Sequence, residues 1–390
     1  VIRLIKSTFY DEAATKRRLT RFLRSATHLS LGPECAAFET EFARWQGRRS
    51  AVLVNSGSSA NLALLQALVN LGRLVPGDRV GVSAVTWATN VMPLITLGLH
   101  PVPIDIDLET LNISSRTVRA AYQAQPFQCL FVTNLLGLSG DLEAIQAFCA
   151  ESRILLLEDN CESLGTEYLG TKLGNFGTAS TFSFFVGHHL STIEGGMVCT
   201  DDAELASMMR MVRSHGWDRH LSSQEQTRLR TQHGVDDFDG KYTFYDIGYN
   251  LRPTEVQGFL GQDQLRYLPA IISARQENYQ RLAAIYQNTD FVALDTSRLT
   301  VHSNFAFPLI CQTRAHRDRY LRKAESFGIE TRPIVGGNIV TQVFFRKYAP
   351  MASNVPHAEH VHACGFYVGN NPDLTTRELD RMISTFAHAD

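Results

Sequence analysis

Four stretches of the 390-residue chain carry residue types suited to chemistry. Ser56-Gly57-Ser58-Ser59-Ala60 sets a glycine among hydroxyls where an apolar run gives way to a helical pattern. Glycine permits close backbone approach, and amides at a helix start, helped by hydroxyls, can hold a phosphate. The same residues would also make a plain N-capping turn. Leu155-Leu156-Leu157-Glu158-Asp159-Asn160 is an apolar strand ending in acids. A carboxylate there can pair with a pyridinium nitrogen and keep the ring an electron sink; metal binding and helix capping are the other uses of Asp159. Thr86-Trp87-Ala88-Thr89 follows a further strand, and Trp87 either stacks on a flat ligand or fills the core. The run from Ser180 to Met197 contains adjacent imidazoles at His188 and His189. Imidazole is a competent acid–base near neutral pH. Neighbours on an extended segment face opposite sides, so the two histidines do not act on one atom, and His189 reads as structural. A His–His metal site is disfavoured for that reason and for want of a third ligand at suitable spacing.

These residues need a scaffold, and the pattern around them supplies one. Short apolar runs at 51–54, 80–83, 101–106, 129–133 and 154–158 read as strands, with helical periods at 60–71 and 142–151 between them. Such alternation implies an α/β fold with a mainly parallel sheet covered by helices, whose ligands sit at the carboxyl ends of the strands. The polar segment 214–241 reads as a long surface excursion, and 253–286 as one long connecting helix. The chain divides into an arm at 1–14, a large domain at 15–255 and a small α+β domain at 256–390. Lys and Arg total 37 against 39 Asp and Glu, which gives no concentrated basic footprint for nucleic acid. No apolar stretch approaches the roughly 18 to 20 residues of a membrane span, and no signal peptide is evident, so a cytoplasmic location is expected. The seven cysteines are scattered without a CxxC pair, which speaks against structural zinc and a disulfide framework.

The segment around Ser183-Phe184-Phe185 and Glu194-Gly195-Gly196 resembles the lysine-bearing stretch of the DegT/DnrJ/EryC1/StrS family. His188 stands where those aminotransferases carry lysine, which resembles the sugar 3-dehydratase branch. Asn55 through Leu62, Pro76-Gly77-Asp78, Asp105-Ile106-Asp107, Glu158 through Glu162, Gly248 through Leu251, Gly328 through Pro333 and Gly337-Asn338 follow the family pattern in order. The resemblance implies the fold-type I architecture of pyridoxal-phosphate transferases, like that of aspartate aminotransferase. It implies that Gly57, Ser58 and Ser183 bind the cofactor phosphate, Trp87 stacks on the ring and Asp159 pairs with its nitrogen. Glu162 takes the position near the ring hydroxyl that is usually Gln. Asn250 would reach the phosphate in a neighbouring subunit, which implies a homodimer with shared active sites.

Loss of the lysine changes the implied chemistry. Imidazole cannot form the covalent link to the cofactor aldehyde, so the cofactor is expected to be held noncovalently, as pyridoxamine 5'-phosphate. His188 would remove a proton from the cofactor's methylene, and the C3 hydroxyl of a nucleotide-linked 4-keto-6-deoxy sugar would leave. No cysteine lies between Cys199 and Cys311, so the ligands of an iron–sulfur cluster are not available there. An amino-acid donor such as glutamate would then restore the amine. His215, Glu330 and Arg332 are the candidate substrate contacts, Arg332 for a diphosphate or the donor carboxylate. Two departures from the branch fall nearby: 134–139 lacks the usual Gly-Asn-Pro, and Ile193 replaces a glycine. The competing readings are an aminotransferase-like enzyme with another outcome, and a noncatalytic sensor that binds B6 or sugar.

Overall fold

The computed structural model describes residues 1–351 and 353–387. Seven strands form the main sheet: β1 (Ser50–Val54), β2 (Arg79–Ser83), β3 (His100–Ile104), β4 (Cys129–Thr133), β5 (Leu155–Asp159), β6 (Ala179–Ser183) and β7 (Gly196–Thr200). Their order is β1-β7-β6-β5-β4-β2-β3. Neighbours from β6 through β3 are parallel, whereas β7 runs antiparallel to both β1 and β6. Six strands therefore deliver their carboxyl ends to one edge, and the turn between β6 and β7 projects from that edge.

Both sheet faces are covered, which explains the continuous apolar runs in place of clean alternation. On one face the helix Gly57–Asn70 buries Ala60, Ala63, Leu64, Leu65, Ala67 and Leu68. On the other, Phe38 and Phe42 of the helix Pro33–Gln46 pack on Phe182 and Phe184, with ring centroids 5.2 Å apart for Phe38–Phe184 and 5.3 Å for Phe42–Phe184. Phe184 is fully buried while Phe185 stands out at the surface, so this aromatic contact anchors the base of the histidine turn.

The C-terminal part carries a small antiparallel sheet with Gly365–Gly369 between Ala306–Ile310 and Thr331–Pro333. Helices Arg314–Ser326, Pro356–Cys364 and Thr376–Phe386 accompany it, and Phe307, Leu309, Phe366, Val368 and Phe386 share its core. The N-terminal arm joins this sheet through the parallel bridge Ile2–Ile329.

Two expectations are corrected. The excursion at 214–241 contains the helix Ser223–His233, closed by a capping box between Ser222 and Glu225 and by Gly234 in the left-handed conformation. None of its residues is buried, so it lacks the apolar stripe by which a helix is read. The single helix expected over 253–286 is two, Glu255–Leu265 and Leu268–Leu282, followed by a 3-10 turn. Pro269 in the first turn of the second helix has no N–H to continue the first. No helix among the described residues is long and apolar enough to cross a membrane.

Candidate active site

A cavity of about 760 Å³ opens where the strands end. After β1, Ser56 caps the following helix by accepting from the Ser59 N–H at 3.1 Å. Gly57 and Ser58, in the first helical turn, line the cavity together with Ser183 at the end of β6. First-turn amides have no intrahelical acceptor and favour an anion. The cradle is tight: a Cβ at Gly57 would lie 2.6 Å from Ser183 Cβ, and one at Gly196 only 2.2 Å from the Ser56 carbonyl oxygen. Glycine at these two positions lets the helix start, β6 and the histidine turn meet.

Asp159 ends β5 with its side chain buried at the cavity floor. Its Oδ2 accepts from Asn61 Nδ2 at 2.9 Å and Asn90 Nδ2 at 2.8 Å, and its Oδ1 accepts from the Cys161 N–H at 2.9 Å. Asn61 is itself fixed by the Thr181 hydroxyl, 2.7 Å from its Oδ1. Strand alternation sends the neighbouring Glu158 to the other face, where it accepts from Gly174, Phe176 and Gly177 amides. The carboxylate is thus oriented by three donors, none carrying a formal charge, so its own charge is free for a cationic ligand. Trp87 is 55% exposed and lines the same cavity, which removes it from the core.

Glu162 is buried and accepts from the Leu136 N–H at 2.8 Å. Burial pushes its carboxyl up to about 8, and the nearby Asp159 adds to this against the amide bond. At neutral pH Glu162 is a protonated acid that can donate a hydrogen bond, as the amide of glutamine does. Leu136 adopts φ 55° and Gly137 φ 81°, and the Leu136 carbonyl accepts from Asn304 at 3.1 Å. The departure at 134–139 is therefore the backbone that presents an N–H to Glu162.

His188 lies in the turn 184–195, which is closed by Phe184 N to Gly195 O at 2.9 Å and Val186 N to Ile193 O at 3.1 Å. The half-buried ring bonds through Nδ1 to the Cys161 carbonyl and packs against Phe305 at 5.1 Å. Burial pulls the imidazole down to about 4, so it is neutral at physiological pH. His189 is buried away from the cavity, its Nε2 2.6 Å from the Ser303 carbonyl oxygen. Arg275 reaches the cavity from the helix Leu268–Leu282, with Nη1 on the carbonyls of Asn304, Phe305 and Asn370.

Of the residues singled out from sequence, Gly57, Ser58, Trp87, Asp159, Glu162, Ser183, His188, Glu330 and Arg332 line this one cavity. His215 and Asn250 do not. They lie together elsewhere, with the His215 N–H on the Tyr249 carbonyl and a bridge between Ser214 and Asn250. Both oxygens of Glu330 are engaged, one by the Leu4 N–H at 3.0 Å and the other by Arg332 at 2.6 Å. Sequence reasoning did not single out Asn61, Asn90, Arg275 or the arm residues Arg3, Leu4 and Ile5. Asn61 lies within the quoted run Asn55 through Leu62 and Asn90 directly after Thr89, but an asparagine in a helical stretch carries no mark of the carboxylate it will meet. The seven cysteines are all free, and only Cys161 lines the cavity. Among the described residues no group of three or more His, Cys, Asp or Glu is placed to hold a metal.

Known proteins resemble this chain over nearly its whole length. The chain is 35% identical over 360 residues to a GDP-4-keto-6-deoxy-D-mannose 3-dehydratase of Escherichia coli O55:H7, covering 90% of this chain and 92% of that protein. A solved mutant of a GDP-4-keto-6-deoxymannose-3-dehydratase with bound GDP-perosamine superposes with a TM-score of 0.89 at 32% identity, covering 99% of this chain and 100% of that one. Another, with a trapped PLP-glutamate geminal diamine, gives a TM-score of 0.90 at 32% identity, again covering 99% and 100%. The model of the DegT/DnrJ/EryC1/StrS aminotransferase family matches residues 10–387, and the chain belongs to that family.

Proposed function

We propose that this chain is a pyridoxamine-phosphate-dependent dehydratase that removes the C3 hydroxyl from a nucleotide-linked 4-keto-6-deoxy sugar. The observation that carries the reading is His188, an imidazole that lines the cavity beside residues fitted to a B6 cofactor. The residues fit the cofactor: a cradle that a Cβ would fill for the phosphate, an uncompensated carboxylate for the ring nitrogen, and an exposed indole beside them. Gly57, Ser58 and Ser183 hold the phosphate, Trp87 the ring face, Asp159 the ring nitrogen and Glu162 the ring hydroxyl. When bound, the cofactor supplies an amine for the sugar ketone and a conjugated ring that accepts electrons.

His188 moves the proton. A carbonyl only accepts, so the bond to Cys161 places the ring hydrogen on Nδ1 and leaves Nε2 as the base. Nε2 takes a proton from the carbon that bears the amine, and the imidazolium so formed returns one to the departing C3 hydroxyl. Asp159 stabilises the positive ring nitrogen throughout. Without a lysine there is no side chain to bind the cofactor covalently, and noncovalent retention follows. Glutamate restores the amine, and nitrogen leaves the sugar as ammonia. The dispersed cysteines support a route without an iron–sulfur cluster, and finding iron and acid-labile sulfide in pure protein would contradict it.

His215 and Asn250 act, in this reading, at the site of a second copy, making the enzyme a homodimer with shared active sites. Mixing inactive His188→Asn and Asn250→Ala chains tests this, since recovered activity requires sites built from both. The reaction is tested by incubating protein, pyridoxamine phosphate, glutamate and a panel of nucleotide-linked 4-keto-6-deoxy sugars. Loss of the C3 oxygen by mass spectrometry supports dehydration, and nitrogen retained on the sugar supports amino transfer instead.

A further inference from the structure

Three guanidiniums line the cavity, those of Arg3, Arg275 and Arg332. Two are already used. Arg275 donates to four backbone carbonyls, and Arg332 pairs with Glu330 at 2.6 Å. Arg3 is exposed and makes no ion pair or side-chain hydrogen bond among the described residues. Its position is nevertheless defined, because the arm is tied on both sides of it. Ile2 N donates to the Gly328 carbonyl at 2.7 Å, Glu330 N to the Ile2 carbonyl at 2.9 Å, and Leu4 N to Glu330 Oε2 at 3.0 Å. Farther on, Lys6 pairs with Glu378 at 2.6 Å, and Ser7 Oγ donates to Asp373 at 2.8 Å. Between these ties Ile5 reaches the histidine turn, where a Cβ on Gly187 would lie 3.3 Å from Ile5 Cδ1. The arm thus forms a wall of the cavity that runs from Glu330 to the neighbour of His188.

We infer that Arg3 binds the diphosphate of the nucleotide-linked substrate, with the Glu330 carboxylate holding the arm in place for it. The inference rests on the substrate class proposed above. The phosphate cradle at Gly57 and Ser58 serves the cofactor, so the substrate's own two phosphates need a contact of their own. Arg3 is the guanidinium of the cavity whose donors are all free. Phosphate suits its planar fork of donors, and the contact forms without breaking an existing pair.

GDP and dTDP, which share only the diphosphate and the pentose frame, are the probes. Each is titrated calorimetrically into cofactor-loaded wild type, Arg3→Ala and Arg3→Lys, with thermal unfolding confirming that the variants fold. Arg3→Ala should weaken both nucleotides about tenfold or more, the scale of one charge-assisted contact, and Arg3→Lys should recover part of the loss. Raising the salt should weaken wild type more than Arg3→Ala. Unchanged affinity of Arg3→Ala for both nucleotides would overturn the assignment alone. So would a slower glutamate half-reaction with nucleotide binding intact, which would put Arg3 on the donor carboxylate. Failure of wild type to bind either nucleotide would overturn the substrate class and this assignment with it.

Discussion

The Nδ1 of His188 is held by the main-chain carbonyl of Cys161, whose own N–H donates to Asp159 Oδ1 at 2.9 Å. One residue thus connects the carboxylate that would meet the ring nitrogen and the imidazole that would move the proton. The link is made by backbone atoms, so it depends on the path of the chain after β5 and not on the side chain at 161. It fixes both the tautomer and the direction of the base, as an acceptor behind a catalytic or metal-bound histidine commonly does.

The two shifted groups define a pH window. His188, held down to about 4, is the free base above that value, and Glu162, raised to about 8, keeps its proton below it. Base catalysis requires neutral His188, so activity is lost as pH falls through about 4. Hydrogen-bond donation from Glu162 is lost as pH rises through about 8. The profile of kcat/KM should therefore be flat between these limits and fall outside them. Glu162→Gln, which cannot ionise, should remove the alkaline limb and leave the acid limb in place.

Asn90 tests the seat of Asp159. Asn90→Ala deletes one of the two side-chain amides on a buried carboxylate, leaving Asn61 and the Cys161 N–H. A hydrogen bond to a charged group contributes about 1.5–3 kcal/mol, and an unmade buried one costs on the same scale. Urea unfolding of the cofactor-free protein should show a loss of about 1–3 kcal/mol, with weaker cofactor binding measured separately.

Ile193 adopts φ 73°, a left-handed conformation that a β-branched residue reaches only at a cost. Its carbonyl accepts from Val186 and its N–H donates to Ser191 Oγ at 3.1 Å, so the strain is maintained by the histidine turn itself. Ile193→Gly should stabilise the protein by about 1 kcal/mol, the relief of left-handed strain less the added freedom of the unfolded chain. Denaturant titration at constant m-value reads this directly.

Much of this arrangement is legible in the sequence because it follows from local pattern. Strands β4 and β5 announce themselves as apolar runs, and the parallel order then puts Asp159 and the Ser56–Ser58 turn at one edge. His188 and His189 do meet different surroundings, but in a turn and not on the extended segment that the alternation argument assumes. What is not legible depends on contacts between distant residues. Arg3 enters the cavity only because the arm pairs with residues 328–330, more than 300 positions away, and Arg275 enters it from a helix whose local pattern shows only a buried face. Leu136 looks apolar and inert, yet its backbone turn supplies the amide that meets Glu162. The exposed helix Ser223–His233 escapes notice because it buries nothing, and only its capping box marks it.

The central claim is that His188 moves the proton in a site that binds its cofactor without it. Single-turnover reaction of pyridoxamine-phosphate-loaded His188→Asn with the nucleotide-linked 4-keto-6-deoxy sugar, followed by mass spectrometry, tests it most directly. The account predicts that cofactor affinity stays within a few-fold of wild type while C3 deoxygenation slows by about 10²- to 10⁴-fold, the usual contribution of a positioned general base. Deoxygenation by His188→Asn at the wild-type rate would contradict it.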